Sequence, residues 1–395
     1  MQAKAFRNII WPMAVAETIM WASSYYLFPS LLPIWEVEFG WSKSELSGAL
    51  TLALLLSAIS APFAGKLIDH GYGAKVFTGS AMLLALSLLG LSQVQNLVQF
   101  YLAWLGIGIA MAGGLYEACF AIITRCFGHD SKRAITIVTL VAGFAGTISF
   151  PLVSALSSSF GWRMAVMNYA VFVALVAVPL LWRTCHQAEN YPHAKISEDD
   201  MDTISAGGAL RHLSFWFLGA TFFLLALDHS MIITHLFPIL ADREIHSQAA
   251  ILAASMIGPM QVAGRLTMMI GGKNTTTAYI ALGCSLGMCL AALSLFGASI
   301  ATGLVVAFVI LQGASMGMTS ILRPVMVGEW IGRRNFGAIS GMLAVPYLIG
   351  HSIAPSVSAA VWGWGGYDKV LILASVLAGI AFFTIFAAWH FSPKR

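Results

Sequence analysis

Apolar runs of roughly twenty residues recur from one end of this chain to the other, the length a helix needs to cross about 30 Å of hydrocarbon at about 1.5 Å per residue. A chain patterned this way must meet lipid over much of its surface. Its charged residues make up only 10% of the sequence, against about a quarter in soluble proteins, and mean hydropathy is +0.81. The runs lack the polar–apolar alternation of membrane barrel strands, so helices are expected.

The runs predict helices over 9–32, 44–65, 76–95, 99–124, 134–158, 164–182, 214–240, 249–270, 277–297, 301–327, 336–360 and 370–390. The fold class that follows is an all-α membrane protein of twelve transmembrane helices. Lys4 and Arg7 precede the first run, but no convincing cleavage site follows, so it reads as the first membrane helix rather than a leader. The longest polar segment, Arg183 to His212, carries Glu189, Glu198, Asp199, Asp200 and Asp202. It divides the chain into a six-helix bundle over 1–183, a solvated cytoplasmic linker over 184–212 and a second bundle over 213–395.

An even number of helices puts both termini on one side, and the positive-inside bias makes that side the cytoplasm. The inner segments then hold Lys66, Lys75, Arg125, Lys132, Arg133, Arg183, Lys195, Arg211, Lys273, Arg333 and Arg334 besides the basic termini. The outer loops hold Lys43, Arg163, Arg243 and Lys369. This asymmetry accounts for the net charge of +4 without an anionic macromolecule, and no basic stripe suggests nucleic acid. Cys119, Cys126, Cys185, Cys284 and Cys289 lack metal or redox spacing and read as small buried hydrophobes.

The segment Gly65-Lys-Leu-Ile-Asp69-His-Gly-Tyr-Gly73-Ala-Lys75, after the second run, resembles the cytoplasmic loop motif of the major facilitator superfamily, with His70 in place of the motif's Arg. Gly-Trp-Arg at 161–163 is another feature similar to that superfamily, and a weakened copy of the loop follows the eighth run around Gly271 to Lys273. The resemblance implies two pseudo-symmetric bundles, transport by alternating access, and a conformational latch at Gly65, Asp69 and Gly73. The glycines are expected to let the loop turn tightly. Within the superfamily the chain is most similar to the monocarboxylate and oxalate/formate carriers, because Gln261-Val-Ala-Gly-Arg265 occupies the place of their carboxylate-binding arginine. That similarity implies a substrate role for Arg265, with Gln261 beside it.

Charged groups inside hydrocarbon cost at least a few kcal/mol, so those that persist tend to face a cavity or a partner. The filter selects Glu17, Glu117, Asp228 and Arg265, with His229, His235 and His351 as titratable companions. Trp21 and Tyr25 follow Glu17 at intervals of four and form a stripe able to line a substrate pocket; simple helix packing is the alternative. Tyr116 precedes Glu117, and Gly113 and Gly114 permit close helix approach. Glu117, Asp228, His229 and His235 are the proton-coupling candidates, since an acid or imidazole can load and release a proton. Asp228 and His235, seven apart, are expected on one helix face. Arg265 and His351 are placed at the substrate, with a fixed salt bridge the alternative for Arg265. Arg323 and Arg125 lie nearer the expected cytoplasmic helix ends and are assigned to snorkelling.

No nucleophile elbow, metal cluster or phosphate loop is present, so an enzyme is not expected, nor a cofactor or metal. The expectation is a monomeric carrier in the bacterial inner membrane, taking a small organic anion such as a monocarboxylate together with protons. A proton-driven exporter of drug-like or toxic compounds is the alternative.

Overall fold

The computed structural model describes residues 2–127, 131–189, 210–271, 276–331 and 336–392. The centre of the expected linker and the 272–273 part of the second loop copy lie outside these residues. The chain divides into two compact units, Met1–Ser197 and Glu198–Arg395.

Among the described residues the first unit contains six spans. The first consists of Gln2–Ser23 and Leu27–Phe39. Lys43–Leu67 is the second and Gly73–Ser92 the third. The fourth is Leu97–Gly114 continued by Tyr116–Phe127, and the fifth is Ser131–Ala142 continued by Ala145–Phe160. The sixth runs from Trp162–Phe172 through a π-helical turn, Val173–Ala177, into Val178–Glu189, so helix persists past the expected bundle end at 183.

The second unit repeats the plan. Leu213–Thr234 and Leu236–Asp242 form the seventh span; Ser247–Gly271, Thr277–Phe296 and Leu304–Trp330 are the eighth to tenth. The helical stretch Phe336–His390 is 55 residues long but leaves helical geometry at Gly365 and Gly366, which separates the eleventh span from the twelfth. Gly366 takes φ 71°, a left-handed backbone that suits glycine. Large apolar residues such as Leu175 (72% exposed) and Phe383 (70%) face outward, as a lipid-solvated surface requires.

Packing is the same in both units. The second and fourth spans cross so closely that a Cβ on Gly108 would strike the backbone of Ala53. The eighth and tenth cross likewise at Gly264 against Ala314 and at Gly317 against Gln261. Small residues let backbones approach, which gains dispersion contacts where no hydrophobic effect acts between helices. The fifth span is tied to the first by the Ser149 hydroxyl, which donates to the Ala22 carbonyl at 2.9 Å, and the seventh to the eleventh by Ser230 donating to the His351 carbonyl at 3.1 Å. Ser285 links the ninth to the twelfth, donating to the Ala378 carbonyl at 2.7 Å.

Each unit also has a polar clasp at the start of its last span. Gly161, at φ 80°, turns the chain so that Trp162 and Arg163 both donate to Glu38 at the end of the first span. Arg163 also donates to the Val94 carbonyl at 2.9 Å. In the second unit Gly366 turns the chain ahead of Asp368, which pairs with Arg243 at the end of the seventh span. The charges are exchanged and the device is the same.

These crossings predict which glycines are irreplaceable. Gly108→Ala and Gly317→Ala are expected to lower stability by about 1–3 kcal/mol through overpacking against backbone. Gly79→Ala and Gly283→Ala, which meet open space, are expected to stay within about 0.5 kcal/mol. Thermal unfolding of the detergent-solubilised protein checks the contrast.

Candidate functional site

In the first unit the site residues gather where the first and fourth spans break. The first stops being helical over 24–26, and the fourth breaks at Leu115, immediately before Tyr116 and Glu117. Glu17 is completely buried, and among the described residues neither carboxylate oxygen has a hydrogen-bond partner. Cys119, Glu117 and Trp21 are the polar groups around it, and the Trp21 indole N–H is likewise buried and unpartnered. Trp21 packs on Tyr116 (ring centroids 4.9 Å apart) and Tyr25 (5.9 Å), and Tyr116 stacks on Phe120 at 5.1 Å. Tyr25 lies in the break itself rather than on a continuous helix. Glu117, in contrast to Glu17, is exposed. The result is an aromatic group holding two carboxyls, one buried and one open.

In the second unit Asp228 is completely buried and its carboxylate oxygens are also unpartnered among the described residues. The polar side chain beside it is Gln312 of the tenth span. The Gln312 amide nitrogen donates to His229 Nδ1 at 3.1 Å, and its Oε1 is buried with no partner. His229 is next to His351 of the eleventh span, whose ring lies parallel to Tyr347 with centroids 6.1 Å apart. Arg323 lies over the Tyr347 ring at 3.6 Å and faces Phe222 at 5.5 Å. Asp228, Gln312, His229, His351 and Arg323 thus form one polar path among the seventh, tenth and eleventh spans.

Glu17 and Asp228 hold matching places. Each lies seven residues before the point where its unit's first span breaks, at Ser24 and at His235.

The sequence profile of the Major Facilitator Superfamily matches residues 13–296. The chain belongs to that superfamily. A relative from Thermoproteus tenax, described as an uncharacterized 38 kDa protein in the 23S RNA operon, is 25% identical over 375 residues, covering 94% of each chain. Among solved structures, an inward-facing, unoccupied bacterial homolog of the human lysosomal transporter Spinster superposes with a TM-score of 0.75 at 15% identity, covering 99% of this chain and 98% of that one. A point mutant of the nucleoside transporter NupG gives 0.75 at 15% identity, over 98% of this chain and 99% of the other. At these identities the structures establish the fold. This is a superfamily transporter, not an enzyme.

In this superfamily member the turn of the loop motif differs from expectation. Gly65 is inside the second span and Gly73 opens the third with helical φ −52°, while the left-handed residue is Gly71 at φ 89°. Gly71 makes the turn because it is the position where a Cβ would be strained. The His70 ring contacts the Lys66 carbonyl at 2.7 Å. The Asp69 side chain lies outside the described residues.

The two histidines of the seventh span separate. His229 joins the Asp228 group through Gln312, whereas His235 caps the helix end at the break. Its Nε2 donates to the Pro355 carbonyl at 3.2 Å, which leaves Nδ1 to accept from the Tyr367 hydroxyl at 3.2 Å. Asp228 and His235 do not share a continuous helix face, since helix ends at Thr234. Arg265 is buried against the tenth span, its Nε donating to Ser320 Oγ at 3.2 Å and to the Gly317 carbonyl at 3.4 Å. Gln261 is buried one turn earlier, at the close crossing with Gly317.

Gln312 and Arg323 are the participants that the charge filter did not promote. Gln312 carries no formal charge and Arg323 lies seven residues from the end of its helix. A polar amide inside an apolar run is the signal that marks Gln312.

His235 bridges two elements, so His235→Ala is expected to cost about 1–3 kcal/mol by leaving the buried Tyr367 hydroxyl without that partner. A lowered melting temperature, partly restored in His235→Gln, is the expected reading.

Proposed function

We propose that this transporter is a proton-coupled secondary carrier of a small organic anion, working by alternating access in the bacterial inner membrane with both termini cytoplasmic. One observation carries the proton coupling: among the described residues Asp228 and Gln312 Oε1 are both buried and unpartnered and their side chains are neighbours, so that a proton on Asp228 would serve both. An ionised carboxylate there would be an uncompensated buried charge, worth several kcal/mol. A protonated Asp228 donates to Gln312 Oε1, while the amide nitrogen donates to His229.

Release of that proton has a built-in response. The Gln312 amide can turn over, its nitrogen donating to the new carboxylate and its oxygen accepting from His229 Nδ1–H in the other tautomer. Proton loss at Asp228 is then registered at His229 without a charge crossing dry protein. The other ionisable or charged groups about this path are Cys289 on the ninth span, His351 on the eleventh and Arg323 on the tenth. Glu17 and Glu117 supply a second acidic pair in the first unit, with Trp21, Tyr25 and Tyr116 around it.

The anion half of the reading rests on the net positive charge that arginines bring into the spans of the second unit, with Arg323 in the tenth span free of any ion pair among the described residues. An arginine in hydrocarbon keeps its charge and calls for an anion, which a solute carboxylate can provide. The alternative, export of drug-like or toxic compounds, is favoured by the first unit, where aromatic rings and carboxyls suit a planar cation.

Proteoliposomes containing a pH dye separate these. Small monocarboxylates are expected to drive proton movement above protein-free vesicles. In Asp228→Asn this coupling should fall at least about tenfold, the equivalent of about 1.4 kcal/mol, while counterflow of labelled anion persists. Unchanged coupling in Asp228→Asn would remove the proposal, and proton movement driven by an aromatic cation instead would favour the exporter.

A further inference from the structure

We infer that Arg323, laid on the ring of Tyr347 beside His351, is the residue that holds the carboxylate of the transported solute, and that Arg265 is a brace between spans. The inference rests on the anion reading above and assigns its site. It gives Arg323 a part quite different from the snorkelling that its position near a helix end suggests.

Direction is the first argument. A snorkelling arginine reaches for the nearest helix end. Arg323 lies seven residues from the end of the tenth span at Trp330, about 10 Å along the axis. The rings it faces belong to residues farther from the same end of the unit. Phe222 is nine residues into the seventh span and Tyr347 eleven into the eleventh, about 14 and 16 Å in. The guanidinium therefore lies against rings of two neighbouring spans.

Neutralisation is the second. Among the described residues Arg323 has no ion pair and no hydrogen bond, and its Nε is buried without a partner. The Tyr347 ring covers one face of the guanidinium, and stacking on an aromatic leaves the N–H edge available. That edge is a planar fork matched to a carboxylate. His351, parallel to the same Tyr347 ring, adds a polar wall that can donate or accept.

Contrast with Arg265 is the third. Its Nε is engaged by Ser320 and Gly317, both on the tenth span, at the crossing where Gly264 and Gly317 allow backbone contact. An arginine used this way holds two helices together. Ser320 lies one turn before Arg323, so Arg265 contributes positive potential near the site without its Nε–H being offered to a solute.

The probes are L-lactate and benzoate, titrated against the purified full chain in detergent and followed by thermal shift. Wild type is expected to be stabilised saturably. Arg323→Gln should abolish the shift, Arg323→Lys should weaken the half-saturating concentration by at least about tenfold because it loses the fork, and Arg265→Gln should keep it within about threefold while melting lower. Should Arg323→Gln fold poorly, phenylglyoxal labelling of wild type with peptide mass spectrometry replaces it: lactate is expected to protect Arg323 from modification and to leave Arg265 unprotected. A wild-type shift that survives in Arg323→Gln, or protection at Arg265 alone, overturns the assignment while leaving the anion reading intact. Wild type that responds to neither carboxylate overturns the anion reading and this inference with it.

Discussion

Hydrocarbon offers no hydrogen bonds, and most of what is specific about this molecule follows from that. Every polar group inside a span must be satisfied by the protein or be left at a cost of several kcal/mol. Many of the hydroxyls obey the constraint. Thr18, Ser24, Ser255 and Thr319 donate to carbonyls one turn back on their own helices, and Ser149, Ser214 and Ser285 donate to a neighbouring span. Among the described residues the exceptions include hydroxyls such as Ser23 and Ser358, the indoles of Trp21, Trp35 and Trp104 and Nε of Arg243; the costliest are the ionisable and amide groups, both oxygens of Glu17 and of Asp228, Oε1 of Gln312 and Nε of Arg323. Glu17, Asp228, Gln312 and Arg323 occur where spans break or where spans of the same unit converge, which is where a carrier would keep groups for a proton or a solute.

The two units solve the same packing problem twice and then diverge in chemistry. Close crossings at Gly108 and Gly264, hydroxyl ties from Ser149 and Ser230, and the clasps at Glu38 and Arg243 recur with different residues in matching roles. The buried carboxyl seven residues before the break recurs too. Its surroundings do not: Trp21, Tyr116 and Cys119 in one unit, Gln312 and His229 in the other. A repeated scaffold thus carries unlike interiors, aromatic rings around the carboxyl of one half and an amide and imidazole beside that of the other.

Much of the architecture was legible because the bilayer sets helix length. Run length and the polar stretch after Arg183 suffice to predict twelve spans, and the Gly65–Lys75 motif points to the superfamily. Breaks were not legible. The fourth run reads as continuous from 99 to 124, yet it bends at Leu115, where Gly113 and Gly114 sit against Ser80 and Met20. Glu17 and Asp228 stood out because a charge in an apolar run is expensive wherever it points. Gln312 and Arg323 needed the neighbours that three dimensions supply: an amide means little until His229 and Asp228 flank it, and an arginine near a helix end reads as snorkelling until Tyr347 is found beneath it. The loop glycines show the same limit, since their presence was visible but not which of them would take positive φ.

The distribution of charge pairs completes the argument. The ion pairs seen among the described residues, Glu36 with Lys43, Glu38 with Arg163, and Arg243 with Asp368 and Asp242, all sit at or beyond span ends, where they fasten a unit whatever its contents. Deeper in the second unit an acid and a base, Asp228 and Arg323, are present without being paired to each other. Gln312, His229 and His351 stand between them. Had the two been joined, the interior would be neutral and indifferent to solute. On the reading proposed above, with Asp228 protonated, the charge of Arg323 is left uncompensated, and an anion arriving there cancels it. On the same reading, loss of the Asp228 proton would restore a negative charge in the same interior and weaken the hold on that anion, so solute and proton would be bound best together. Coupling of this kind needs no contact between the two ligands, only a dry interior in which net charge is costly and two places where it can be changed.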